Sequence, residues 1–172
     1  NGVTTLGQGC SAEKPSAAQA TMFVTDAATF LTTERLGDET FGPSSLIVAC
    51  KNEDEMLAVA EHLSGQLTAT MQLDDADHGL ARKLLPILER KAGRILVNGY
   101  PNNVEVSHAM VHGGPFPASS DSRSSAVGAS AIDRFLRPVC YQDLPAALMP
   151  EALQEGNPLE LWRMVNGQCV LA

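Results

Sequence analysis

Basic charge is scarce in this chain. Twelve Lys and Arg stand against 20 Asp and Glu, for a net charge of −8 over 172 residues. That balance disfavours the function classes that depend on basic patches, nucleic-acid and anionic-membrane binding. No apolar run approaches the roughly 20 residues that a spanning helix needs, and no secretory leader is visible. The four cysteines, Cys10, Cys50, Cys140 and Cys169, form no Cys-x-x-Cys pair. Reduced thiols in a cytoplasmic protein are therefore expected, not a disulfide framework. What is present is a globular composition, 44% hydrophobic and 19% charged, at a length that suits one domain with a real core.

Residues 1–20 are rich in Gly, Ser, Thr and Ala and weakly periodic, which predicts a short helical remnant followed by a loop. Thr21–Thr25 (TMFVT) predicts a strand, and Asp26 a cap for the short helix after it. Ser45–Cys50 (SLIVAC) is an apolar run of strand length. Asn52 and Glu55 then have the spacing of a capping box, ahead of a helix with Met56, Leu57, Val59, Ala60 and Leu63 on its apolar face and Gly65 at its end. Gln66–Leu73 alternates Leu67, Ala69, Met71 and Leu73, which predicts a strand with an apolar face turned inward. Asp74–Asp77 leads into a second helix, where Pro86 is expected to kink or split the coil. Arg94–Asn98 (RILVN) follows as a strand. Strand, helix, strand, helix, strand with short links predicts a parallel α/β sheet. From Gly99 to Ser130 the chain is a long Gly-, Pro- and Ser-rich loop, and loops of that length in compact domains are usually functional or disordered. Ala131–Leu136 reads as a helix end, Arg137–Gln142 as extended, and Pro145–Ala172 as a tail with one helical piece near Pro150–Gln154. The domain reading is thus 1–20 loop or helical remnant, 21–130 core domain and 131–172 C-terminal segment and tail.

Two stretches carry chemistry: Glu39-Thr40-Phe41-Gly42-Pro43, and Ala92–Arg123 (AGRILVNGYPNNVEVSHAMVHGGPFPASSDSR). The first resembles the Glu-x-Phe-Gly-Pro motif of the aldehyde dehydrogenase superfamily. The βαβαβ run from Ser45 to Asn98 follows it in the family's order and ends in a Gly-x-x-x-x-Asn strand, Gly93 to Asn98. VNGYPNNVEVSHAMVHGGPFPASSDSR and RFLRPVCYQDLP resemble one branch in particular, the 2-oxoglutarate semialdehyde (2,5-dioxopentanoate) dehydrogenases and related NADP-dependent fatty aldehyde dehydrogenases. The branch usually has a small residue and Gly where this chain has Asn102-Asn103.

The resemblance implies a parallel three-layer α/β piece of a catalytic domain with a C-terminal arm. It implies a parent enzyme that oxidises an aldehyde to a carboxylate with NADP or NAD, through a thiohemiacetal and without a metal. Glu39 would hold the nicotinamide ribose, because an ionised carboxylate accepts from two vicinal hydroxyls through strong charge-assisted bonds. Phe41 would limit where the nicotinamide ring sits. Tyr100, Asn102, Asn103, Val104, Glu105 and His112 would shape the substrate tunnel, and Asn98 would support it from the strand end. Arg137–Gln142 resembles the family's oligomerisation strand, so a homo-oligomer is expected.

Gly7-Gln8-Gly9-Cys10 imitates the family's nucleophile motif, but Cys10 lies 29 positions before Glu39, far closer than the family's spacing. Cys10 is read as a decoy, and no catalytic residue is expected here. The chain has no dinucleotide-binding glycine fingerprint and no upstream general base. It is therefore expected to be a fragment without turnover of its own, or alternatively a non-catalytic assembly module. Other constellations are weaker. His108 and His112 are four apart but lack the Glu of a zinc hydrolase. His112-Gly113-Gly114 lacks the Gly-x-Ser-x-Gly elbow of an α/β-hydrolase. Asp74, Asp75 and Asp77 suit a solvated helix N-terminus, and Arg94 and Arg123 suit surface ion pairs more than a substrate carboxylate.

Overall fold

The computed structural model describes residues 2–11, 14 and 16–171. The remaining positions of the expected helical remnant, loop and tail (1, 12, 13, 15 and 172) lie outside the described residues. The chain is mixed α/β, with three small sheets among the described residues, and divides into two units between Phe135 and Leu136.

In the first unit, β1 (Val3–Gln8), β2 (Thr21–Asp26) and β3 (Ser44–Ala49) form one sheet in that order. β2 and β3 are parallel, Thr21 opposite Ser44, whereas β1 runs antiparallel to β2 with a register shift that leaves Leu6 unpaired. The helical remnant expected in residues 1–20 is therefore corrected: Val3-Thr4-Thr5-Leu6 is strand. A strand with a single partner and a mostly exposed surface needs no apolar alternation, so its sequence carries no period to read. β4 (Gln66–Met71) and β5 (Ala92–Val97) form a separate parallel pair, Gln66 opposite Ala92. Parallel pairing thus appears at β2–β3 and at β4–β5. Among the described residues no hydrogen-bonded ladder joins the two sheets. Leu67 is 41% exposed, so the apolar face expected for β4 is only partly turned inward.

Among the described residues two helices begin where a side-chain acceptor meets a first-turn donor. Asp26 Oδ1 accepts from Thr29 N–H at 2.7 Å and starts α1 (Ala27–Thr32). Asn52 Oδ1 accepts from Glu55 N–H at 2.9 Å and starts α2 (Glu53–His62). Glu55 reaches back to Lys51 N–H at 2.7 Å, one residue beyond the expected partner. Asp74 and Asp77 cap a short 3-10 turn reciprocally, which leads into α3 (His78–Lys91). α3 runs through Pro86 without a break, so the expected split does not occur. The loss is confined to one N–H, and Arg90 Nη1 donates to the Pro86 carbonyl at 2.7 Å one turn later.

The buried apolar side chains are few: Ala27, Phe30, Ala60, Leu88 and Ala92. Phe30 of α1 meets the His62 ring of α2 edge-on, centroids 5.7 Å apart. Lys83–Glu53 and Arg90–Glu61 ion pairs, each 2.6 Å, link α3 to α2 at the surface, where solvent screening leaves them little weight. Met22, Ile47 and Val97, all on strands, are among the apolar side chains left in solvent.

In the second unit, β6 (Arg163–Val165) and β7 (Gln168–Val170) form an antiparallel hairpin that the sequence reading missed. Its signal is Asn166-Gly167, both in the left-handed region (φ 51° and 81°), the demand of a tight two-residue hairpin turn. The helix end expected at 131–136 is a 3-10 helix, Ala129–Phe135, which belongs to the first unit. The helical piece expected near residue 150 is a 3-10 turn, Glu151–Leu153. Residues 137–142 pair with no strand among the described residues. No helix among the described residues is long and apolar enough to cross a membrane.

Candidate functional site

Between α1 and β3 the chain makes a 3-10 turn, Glu34–Gly37, and then crosses the start of the first sheet. Two backbone bonds fix this crossing: Thr21 N–H donates to the Pro43 carbonyl, and Ser44 N–H to the Gly42 carbonyl, both at 2.9 Å. Gly42 has φ 146° with open space around it, so the backbone path, not crowding, calls for glycine here. The turn delivers Glu39 and Phe41 to a cleft of about 770 Å³, whose walls include Val3, Phe23 and Leu46 from the three strands and Arg35 and Asp38 from the turn. Glu39 also borders a neighbouring cleft of about 580 Å³ with Gln66 and Pro117. Phe41 is 92% exposed. Among the described residues the Glu39 carboxylate has no hydrogen-bond or ion-pair partner. The pair therefore offers two free acceptor oxygens and a bare aromatic face at one concavity. That donor-hungry carboxylate fits a vicinal diol, and the ring fits a flat heterocycle.

The second stretch is built on β5 and its glycines. Asn98 sits just past β5 at φ 53°, a conformation that Asn tolerates better than most residues. Its side chain accepts from Leu73 N–H and donates to the Leu73 carbonyl, both at 2.8 Å, while its own N–H donates to the Met71 carbonyl at 2.9 Å. It ties the ends of β4 and β5 together. Downstream, the 112–117 segment crosses the start of this sheet. A Cβ at Gly65 would strike the Pro115 and Phe116 carbonyl oxygens, and one at Gly93 the Gly113 carbonyl. Only glycine allows backbone to pass over backbone at that range. Buried Ser125 anchors the loop by accepting from His112 N–H at 2.9 Å, and Ala126 N–H donates to the His112 carbonyl at 2.9 Å. No sequence signal singles out Ser125, because its role comes from a partner 13 positions away.

The expected tunnel residues are dispersed. Tyr100 and Val104 are exposed, as are Asn102, Asn103 and Glu105. His112 is half-buried, its Nδ1 without a hydrogen-bond partner among the described residues. None of the six lines either cleft beside Glu39. Cys10 is an exposed residue just past the end of β1. Burial, and secondarily Glu55, pushes the half-buried Cys50 thiol up from its ordinary range. No three His, Cys, Asp or Glu converge as metal ligands among the described residues. Arg123 pairs with Asp121 at 3.2 Å. Backbone bonding from Arg123 N–H, followed by its side-chain bond, lowers the Asp121 pKa. Arg94 departs from the surface ion pair expected for it: it donates to the backbone carbonyls of Asn103 (2.8 Å) and Pro101 (3.1 Å).

No family model matches the chain. Curated proteins do, two semialdehyde dehydrogenases among them. It is 55% identical over 167 residues, 97% of its length, to alpha-ketoglutaric semialdehyde dehydrogenase 2 of Azospirillum brasilense. It is 50% identical over 167 residues to alpha-ketoglutaric semialdehyde dehydrogenase of Acinetobacter baylyi. The chain matches a C-terminal fragment of an aldehyde dehydrogenase. It spans about a third of the length of the curated relatives it matches, 32% in each case.

Proposed function

We propose that this segment supplies the nicotinamide-ribose contact and one wall of the substrate tunnel in an NAD(P)-dependent aldehyde dehydrogenase that converts 2-oxoglutarate semialdehyde to its carboxylate. The observation that carries the reading is the unpartnered Glu39 carboxylate beside the bare Phe41 ring at one cleft, in a chain 55% identical to a semialdehyde dehydrogenase. Glu39 accepts from the two ribose hydroxyls and so fixes the sugar. Phe41 packs beside the attached ring and limits its tilt. The bound dinucleotide supplies the hydride acceptor, and the nucleophilic thiolate and general base come from chain outside this segment. The loop from Tyr100 to Pro115 closes the far side of the tunnel, with Asn98 holding its strand end.

The two parallel pairs, β2–β3 and β4–β5, become parts of one parallel three-layer sheet when the rest of such an enzyme is present. Met22, Ile47 and Val97, exposed in this chain, are then covered. The isolated chain has no turnover in this reading, and the assembled enzyme is a homo-oligomer.

The test uses a chimera in which this chain replaces the matching third of the Azospirillum brasilense relative. A charge-assisted hydrogen bond is worth about 1.5–3 kcal/mol, so Glu39→Gln should raise KM for the nucleotide about tenfold to a hundredfold, with aldehyde KM little changed. An unchanged nucleotide KM would remove Glu39 from the cofactor site.

A further inference from the structure

We propose that Arg94 is a positioning residue that shapes the substrate tunnel through the turn at Pro101–Asn103. The proposal rests on the reading that this loop faces the aldehyde. Arg94 is the third residue of β5, and its guanidinium leaves the strand to meet the loop that β5 itself feeds. Nη1 donates to the Asn103 carbonyl and Nη2 to the Pro101 carbonyl, at 2.8 and 3.1 Å. Nε is buried and has no hydrogen-bond acceptor among the described residues, and no carboxylate pairs with the head. The cation is thus committed to two main-chain carbonyls two residues apart, and its planar fork fixes their spacing.

Two neighbouring clamps hold the same loop at its root. Gln72 Nε2 donates to the Gly99 carbonyl at 2.9 Å, and Asn98 is bonded twice to Leu73. Beyond Gly99, Arg94 makes the only side-chain hydrogen bonds to residues 100–104 among the described residues. The exposed Tyr100, Asn102 and Asn103 side chains therefore take their direction from a turn that Arg94 pins. A lysine cannot reproduce this, because a single ammonium lacks the rigid fork that spans two acceptors.

The first arm of the test follows the backbone order of the loop in the 172-residue chain, by 15N–1H nuclear Overhauser effects at Tyr100, Asn102 and Asn103. The values should approach those of β5 in the native chain and drop to mobile-loop values in both Arg94→Met and Arg94→Lys, with β4 and β5 shifts retained. Unchanged loop order in both variants would overturn the positioning role. The second arm uses the chimera. Both variants should raise aldehyde KM about tenfold, with kcat and nucleotide KM within about twofold. A parallel rise in both KM values, full rescue by Lys, or a fall in kcat alone would overturn the assignment to substrate fit. If the chimera with native Arg94 oxidises no aldehyde, the proposed function fails, and the first arm still decides whether Arg94 holds the loop.

Discussion

The crossing of the 112–117 segment over β5 can be tested at Gly93. A methyl added there would collide with the Gly113 carbonyl oxygen, and it would sit 2.6 Å from the Gly113 carbonyl carbon and 3.0 Å from Gly114 Cα. Carbon atoms in contact prefer about 3.5–4.0 Å, and all three obstacles are backbone, so relief requires moving a chain and not rotating a side chain. Overpacking of this kind costs about 1–3 kcal/mol. Replacing glycine also reduces the freedom of the unfolded chain, which offsets about 0.4–1 kcal/mol. Taking the middle of each range, the net loss for Gly93→Ala is about 1.3 kcal/mol. With a urea slope of about 2 kcal/mol/M, the midpoint followed by far-UV circular dichroism should fall by about 0.5–1 M. Gly79 is the control. It lies near the start of α3 with nothing within 4 Å of an added Cβ, so Gly79→Ala should leave stability unchanged or raise it by up to about 1 kcal/mol. A Gly93→Ala midpoint at or above that of the native chain would refute the close crossing.

Asn98→Gly keeps the left-handed backbone and loses only the two Leu73 bonds, whereas Asn98→Ala loses both, so Ala should be the less stable by about 1 kcal/mol in the same urea assay. Asp26 has its pKa lowered, chiefly by the Thr29 backbone bond. Its contribution is present above the unfolded pKa and is lost as pH falls through the folded pKa. Acid titration of stability should therefore show a loss below the ordinary carboxylate range, flattened in Asp26→Asn. Timed iodoacetamide labelling read by mass spectrometry should modify Cys10, Cys140 and Cys169, all exposed, well before Cys50, whose raised thiol pKa leaves little thiolate. First labelling at Cys50 would contradict its burial.

Local chemistry made much of this protein legible. The caps at Asp26 and Asn52, the acidic turn at Asp74–Asp77, the helices they start and the β2 to β5 strands follow from short-range spacing. Each depends on donors and acceptors within four residues, or on one periodic face. The Glu39–Phe41 motif was legible as a pattern of residue types. The structure added that both side chains stand free at one cleft, where the Pro43 carbonyl is tied to β2 and the Gly42 carbonyl to the start of β3. The β6–β7 hairpin was also written locally, in Asn166-Gly167, but its three-residue strands are too short to show alternation.

Other features had no local signature because their partners lie far along the chain. β1 is a strand only because β2 lies beside it. Gly65 and Gly93 look like helix and strand punctuation until a loop some 20 or more positions downstream passes over them. Arg94 reads as a surface cation until the turn after Asn98 folds back and presents two carbonyls to it. Sequence by itself determined which segments coil or extend, since those preferences are set by neighbouring residues. Tertiary structure decided which backbone groups meet across the fold, because a hydrogen bond or a steric limit between distant segments exists only once the chain has closed the loop between them.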